Sequence, residues 1–282
     1  MPIGSEGSGV VVATGGILPD IRCPVGTNVG FLAMSCDELK QGSYSEYVVA
    51  NALTEVFPMP TDVPIEDCAS FFVNPYTAVG IIDTAQTEGS YKAIVHTAAA
   101  SQLGQMLNKL ASGKSMEVIN VVRRVEQREI LETIGAKHVV VTEGDEGVWK
   151  AELKSKIDEL GATCAFDAVS GDMTGHLMDC MPKGGVVYLY GNLAGRANGI
   201  DPTDLIYRRK QLKSFYLSSW LQDGGPMTIP RMMMTAKTVN DGLRAVGWCC
   251  TRFEDTTMEN VHGDIVKAIG EGITGKKLRI RF

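Results

Sequence analysis

Ala93-Ile94-Val95-His96-Thr97-Ala98-Ala99-Ala100-Ser101-Gln102-Leu103-Gly104-Gln105 reads as a strand, a tight turn of small residues and the start of a helix. Its turn keeps the spacing of G-x-G-x-x-G but spells it Ala99-x-Ser101-x-x-Gly104. Small residues there let the backbone N–H groups of a helix start approach a pyrophosphate, and the helix dipole favours the anion. With two of the three glycines replaced, the motif alone also fits an ordinary strand-to-helix connection.

Outward from this stretch, strand and helix signals alternate. Strands are expected at Ala93 to Thr97, Glu117 to Val122, His138 to Thr142, Ala165 to Val169, Val186 to Tyr190 and Ser214 to Leu217. Helices are expected between them at Ser101 to Ser112, Val125 to Ile134, Glu146 to Leu160, Met173 to Met181 and Pro202 to Arg209. Short apolar strands joined by helical crossovers specify an α/β fold, a doubly wound parallel sheet of the Rossmann type. Asn74-Pro75 reads as the start of the helix that precedes the sheet, an N-cap followed by proline at the first helical position. The residues before it, with short alternating runs at Gly9 to Ala13 and Thr27 to Phe31 split by turn signals, read as a small antiparallel barrel or sandwich. After Gly224-Gly225-Pro226 a Met-rich helix from Met227 to Val246 leads to a last strand near the end of the chain. The expected division is 1–73, a β-rich domain; 74–224, the Rossmann domain; and 225–282, a helix and a return to the first domain.

The second strand of the sheet indicates which dinucleotide the turn would take. An NAD site places a carboxylate ~20 residues after the glycine turn for the ribose 2′-hydroxyl, and an NADP site places arginine there. Here stand Arg123 and Arg124. A pair of guanidiniums can bind a 2′-phosphate, so NADPH is the expected cofactor, although a solvated pair opening a helix is the bland alternative.

Composition removes other classes. The 282 residues are 44% hydrophobic and 21% charged, with a net charge of −6 and no basic run longer than Tyr207-Arg208-Arg209-Lys210. A nucleic-acid or anionic-membrane surface is not expected. Seven cysteines, none in a C-x-x-C, read as reduced thiols, and the opening residues lack a basic signal-peptide start. The expectation is a soluble, cytoplasmic protein.

The order of these segments carries a resemblance. Gly4-Ser5-Glu6-Gly7-Ser8-Gly9, Gly42-Ser43-Tyr44-Ser45-Glu46-Tyr47, Val73-Asn74-Pro75-Tyr76-Thr77-Ala78, Ala98 to Gly104, Ile134-Gly135-Ala136-Lys137 and Thr274-Gly275-Lys276 resemble the medium-chain dehydrogenase/reductases. The likeness is greatest to their zinc-independent branch of quinone oxidoreductases and 2-enoyl thioester reductases. It implies an incomplete GroES-like β-barrel beside the Rossmann domain, because the family's opening strands precede the Gly4-Ser5-Glu6-Gly7 segment. The tyrosine proposed as proton donor in the family's enoyl reductases belongs to those strands. Serine at position 5, where zinc enzymes of the family have histidine, implies a reaction without zinc.

The resemblance also implies a cofactor cradle in the cleft between the domains. Asn74 and Thr77 would face the nicotinamide side. Ala100, Ser101, Gln102, Leu103 and Gly104 would hold the pyrophosphate, and Arg123 and Arg124 the 2′-phosphate. Gly191 and Asn192 after the fifth strand, and Phe215, Leu217 and Ser218 on the sixth, would line the nicotinamide, with Lys276 nearby. Asn74 also reads as a cap alone, Gly191 as a turn, and Phe215 with Leu217 as one face of an edge strand. Candidates for proton transfer are weak. Tyr44 and Tyr47, at odd spacing on an expected strand, would place at most one hydroxyl in a cleft, and Tyr76 follows the Asn74 turn. His96, His138, His176 and His262 read as structural or surface residues, and Asp167 as a turn or cap partner.

The implied activity is hydride transfer from NADPH to a quinone or an activated carbon–carbon double bond. The alternative is a catalytically silent NADPH-binding or interaction protein that keeps the Rossmann fold. A homodimer is expected through the sixth strand, where Ser214-Phe215-Tyr216-Leu217 would leave an apolar sheet edge.

Overall fold

The computed structural model describes residues 3–33, 42–244, 247–271 and 274–282. The chain divides into two compact units, one made of the residues up to Tyr76 together with Met232–Phe282, the other of Thr77–Arg231.

The second unit carries six parallel strands: β4 (Ala93–Thr97), β5 (Glu117–Val122), β6 (His138–Val141), β7 (Cys164–Asp167), β8 (Val186–Leu189) and β9 (Gln211–Ser214). Their spatial order is β6-β5-β4-β7-β8-β9. The chain therefore winds outward in one direction from β4 and in the other from β7, and the C-terminal ends of these two strands flank the switch point where α/β sheets bind ligands. The interior strands are almost wholly buried, as a sheet covered on both faces demands. One face is packed by Val95, Ile119, Val121, Ala165 and Val187 against Trp149, Leu153, Ile157, Leu177 and Met178. Those partners come from two crossover helices, Glu146–Leu160 and Asp172–Cys180.

The first unit holds an antiparallel sheet of β1 (Glu6–Val10), β2 (Asn28–Leu32) and β3 (Val56–Pro58), in that order. A separate parallel pair joins β10 (Phe253–Thr256) to β11 (Lys277–Ile280), with the helix Val261–Glu271 as its crossover. A short helix, α1 (Ile17–Arg22), buries none of its residues.

Four local expectations are corrected. The sixth strand is Gln211–Ser214, paired with Val186–Leu189, and not Ser214 to Leu217. Phe215 is apolar because it turns inward beyond the strand and meets Phe166 edge-on at 6.3 Å, while a short helix begins at Leu217. The helix at Asn74-Pro75 is α2, Val73–Glu88, so Asn74 lies inside its first turn and does not cap it. Its N-terminal amides are met from far along the chain, where Glu6 Oε2 accepts from the N–H groups of Phe72 and Val73, each at 3.0 Å. The segment around Tyr44 and Tyr47 forms bends and no strand, so alternation does not separate the two rings. The helix expected from Pro202 to Arg209 ends at Ile206, and Arg209 takes a left-handed φ of 53°.

The Met-rich helix is Thr228–Leu243, and 245–246 lie outside the described residues. Six cysteines are free thiols, and Cys36 lies outside the described residues. Among the described residues no helix is long and apolar enough to cross a membrane.

Candidate functional site

The turn after β4 is built as its sequence demands. Ala98 adopts φ 50°, the chain reverses, and α3 (Gln102–Ser112) starts with Ser101 as its N-cap, the hydroxyl oxygen accepting the Gly104 N–H at 3.2 Å. Met106, Leu107 and Leu110 then bury one side of the helix. Gly104 is the glycine this geometry cannot replace. A Cβ on it would lie 2.1 Å from the carbonyl oxygen of Ala99, so the helix packs backbone to backbone against the turn. A first helical turn leaves amide groups without intrahelical acceptors, and here they open at the switch point. Ala100, Ser101, Gln102, Leu103 and Gly104 lie together at this corner, with the Ser101 N–H on the Ala98 carbonyl and the Gly104 N–H on the Ser101 hydroxyl oxygen.

The adjacent strand β5 ends at Val122 and hands over to Arg123 and Arg124. Gln127 Oε1 accepts from both backbone N–H groups, at 2.9 and 3.2 Å, and fixes where the two side chains leave the helix start. Arg123 is exposed and Arg124 half-buried. Neither guanidinium meets a carboxylate among the described residues, and the buried Nε of Arg124 has no hydrogen-bond partner. An anion would supply what that group lacks.

The third wall of the corner is the segment after β8. Gly191 packs so closely on β7's exit that a Cβ would lie 2.5 Å from the Ala168 carbonyl oxygen, and the exposed Asn192 follows. Beneath it, His96 of β4 is fully buried, with Nε2 2.6 Å from the Tyr190 hydroxyl and Nδ1 without a partner among the described residues. Burial alone pushes the imidazole pKa down to about 3, so the ring is neutral, and the same desolvation raises Tyr190, with the nearby Asp167 adding to it. Phe215 is buried, while Leu217 and Ser218, half-buried, open the helix after β9.

Other residues singled out from the sequence belong to different surroundings. Thr77 is buried in α2, and Asn74 is half-buried. Tyr76 is a core residue, 2% exposed, its ring 4.2 Å from that of Phe72, and burial raises its phenol far above the ordinary value. That environment suits packing and not proton donation. In the first unit, Tyr44 and Tyr47 both line one open cavity of about 1460 Å³ with Lys276 at its rim. Lys276 is exposed and pairs with Glu254 at 3.5 Å, whereas its neighbour Lys277 reaches Ser70 at 2.6 Å and Glu6 at 3.3 Å. Sequence reasoning passed over Glu6, Lys277, Thr97 and the His96–Tyr190 pair. Each acts with a residue distant in the chain, so no local pattern marks it.

A doubly wound parallel sheet with a glycine-dependent helix start at its switch point is the architecture of the dinucleotide-binding α/β class. Comparison with known proteins narrows the class. The zinc-binding dehydrogenase family matches residues 103–237. The mitochondrial enoyl-[acyl-carrier-protein] reductase of Bos taurus is 27% identical over 186 residues, 64% of this chain and 49% of that protein. A structure described as an NADPH:quinone reductase of Mesorhizobium loti aligns with a TM-score of 0.83 at 29% identity, covering 99% of this chain and 77% of its own. The fold is also that of an Escherichia coli quinone oxidoreductase solved with NADPH, TM-score 0.70 at 15% identity, covering 98% of this chain and 81% of its own. These likenesses support a place in the medium-chain dehydrogenase/reductase superfamily. The chain spans about half the length of the bovine and human enoyl reductases it matches.

Proposed function

We propose that this chain is an NADPH-dependent oxidoreductase that works without zinc, reducing a quinone or an activated carbon–carbon double bond such as an enal, enone or enoyl thioester. The observation that carries the reading is the Ala98–Gly104 turn after β4 with the Arg123–Arg124 pair after its neighbouring strand β5. The corner fits NADP(H). Gly104 lets the helix start pack hard against the turn, as a diphosphate-binding turn requires, and the Nε of Arg124, without a partner among the described residues, suits a 2′-phosphate that NAD lacks. Serine at position 5 supports a zinc-free reaction, since a hydroxyl does not replace imidazole as a zinc ligand.

When bound, the reduced nicotinamide supplies the hydride. The chain's own part is to hold the dinucleotide, to present Gly191 and Asn192 beside it, and to keep a neutral His96 under that loop. With Tyr76 buried in packing, proton delivery falls to another group or to water. The relatives named above act on enoyl-acyl-carrier-protein substrates and quinones, which supports the same range of acceptors here. A homodimer through β9 is part of this reading. All four residues of that edge strand are exposed, and Tyr216 beyond it is 65% exposed. A monomer in light scattering at micromolar concentration would remove the dimer. The free thiols of the described cysteines suit the reducing cytoplasm.

Calorimetric titration with NADPH and NADH, followed by loss of reduced-nicotinamide absorbance with a panel of quinones, enals and enoyl thioesters, tests the proposal. Preferential binding of NADPH with turnover of at least one acceptor is expected. Binding without any turnover would leave the catalytically silent NADPH-binding protein, and binding of neither cofactor would end the oxidoreductase reading.

A further inference from the structure

Asp167, the last residue of β7, is fully buried and makes contacts that its place in the sequence does not suggest. Its Oδ1 accepts from the Thr97 hydroxyl at 2.8 Å and from the N–H groups of Val169 and Ser170 at 2.9 and 3.3 Å, and its Oδ2 accepts from the Thr174 hydroxyl at 2.8 Å. Thr97 in turn accepts the Ala168 N–H at 2.9 Å. The Asp167 carbonyl accepts from Tyr190 N–H at 3.0 Å and Gly191 N–H at 3.4 Å. One residue thereby joins the C-terminal ends of β4, β7 and β8 at the switch point.

What it joins is held in conformations that a chain does not adopt freely. Ala98, next to Thr97, has φ 50°, and Ser170, three residues after Asp167, has φ 63°. Left-handed backbone at residues with a Cβ carries a steric cost and persists where its surroundings over-determine it. Around Ala98 and Ser170 the surroundings are the Thr97–Asp167–Ala168 clamp. The β8 exit is tied to the same turn, with Leu193 N–H on the Ala168 carbonyl at 3.3 Å and Ala194 N–H on that of Val169 at 2.7 Å. Among the described residues four donors converge on the side chain and no acceptor does, which calls for a carboxylate's two acceptor oxygens and not an amide.

We propose that Asp167, acting through Thr97, is the positioning residue that sets the Ala98–Ser101 turn and the Gly191–Asn192 segment for NADPH. The proposal rests on the cofactor reading above, and its test separates the two.

Thr97→Val removes the hydroxyl at nearly constant volume, Thr97→Ser retains it, and Asp167→Asn replaces one acceptor oxygen with a donor. Each purified variant is titrated with NADPH by calorimetry, and its amide hydrogen exchange is followed at Ala99, Ala168, Val169 and Ser170. T97V and D167N are expected to weaken NADPH at least tenfold and to speed exchange at those amides, with T97S within twofold of the unaltered chain. Ile157→Val, which opens a methyl-sized gap in the helix-packed core, provides the contrast: it lowers the melting temperature and leaves NADPH affinity unchanged, as a merely structural loss does. T97V binding within twofold of the unaltered chain, or T97S failing to restore binding, overturns the proposal. If the unaltered chain binds no NADPH the cofactor reading fails by itself, and exchange then decides the rest, unchanged rates in T97V overturning the clamp as well.

Discussion

Acidification between pH 7 and pH 4 should expose the cost of burying His96. The ring is completely enclosed, its Nδ1 has no partner among the described residues, and burial brings its pKa to about 3 in the folded chain, against roughly 6.5 when unfolded. The unfolded chain therefore takes up a proton that the folded chain refuses. The stability tied to this group is complete above about pH 6.5, is lost as pH falls toward 3, and changes no further below that. The slope is about 1.4 kcal/mol per pH unit, and at pH 4 the loss amounts to about 3 kcal/mol. Carboxylates titrate in the same window, so the assay must isolate one group. His96→Gln keeps a polar partner for the Tyr190 hydroxyl and removes the titration. Urea unfolding of both chains at a series of pH values gives a difference in stability, which should shift by about 3 kcal/mol in favour of H96Q between pH 7 and pH 4. Because His138, His176 and His262 are common to both chains, their contributions cancel. A difference independent of pH would refute the reasoning, since it would mean that the ring is charged, or reached by water, in the folded protein.

Other expectations follow from single contacts. Gly104→Ala would set a Cβ 2.1 Å from the Ala99 carbonyl oxygen, push α3 off the turn, and weaken NADPH at least tenfold, about 1.4 kcal/mol, in calorimetry; unchanged affinity would remove the turn from the site. Arg123→Ala with Arg124→Ala should raise the Kd for NADPH by about tenfold or more and leave NADH as it was, because only the 2′-phosphate contact is lost; equal weakening of both would place the arginines elsewhere. Glu6→Gln should lower stability by about 1–2 kcal/mol in urea unfolding, as the cap on Phe72 and Val73 weakens and Lys277 keeps Ser70 but loses its ion pair; no change in the midpoint would mean that these amides are served by water.

What the sequence reveals and what it conceals divide along chain separation. The helix Glu146–Leu160 is legible to the residue, because Asp145 accepts the Val148 N–H at one end and Gly161 closes the other at φ 63°, both signals lying within the helix's own neighbourhood. The β4 turn is legible for the same reason. The last strand of the sheet is not. An edge strand with all four residues exposed carries no apolar period, so the eye moves on to Phe215, whose apolar character serves packing beyond the strand's end. Asn74 likewise presents a plausible local cap, while the group that holds those amides, Glu6, stands 66 residues before Phe72. The candidate site is split by the same rule. Its turn and its arginines are contiguous motifs, but the bonds that fix the turn join Thr97 to Asp167 across 70 residues, and those that fix the loop beyond β8 go to the carbonyls of Asp167, Ala168 and Val169. If that division is general for the site, variants of the arginines should alter which dinucleotide binds, and variants in the turn or the clamp should alter how tightly either one binds. Measuring NADPH and NADH side by side on both sets of variants is therefore the direct way to tell recognition from support in this fold.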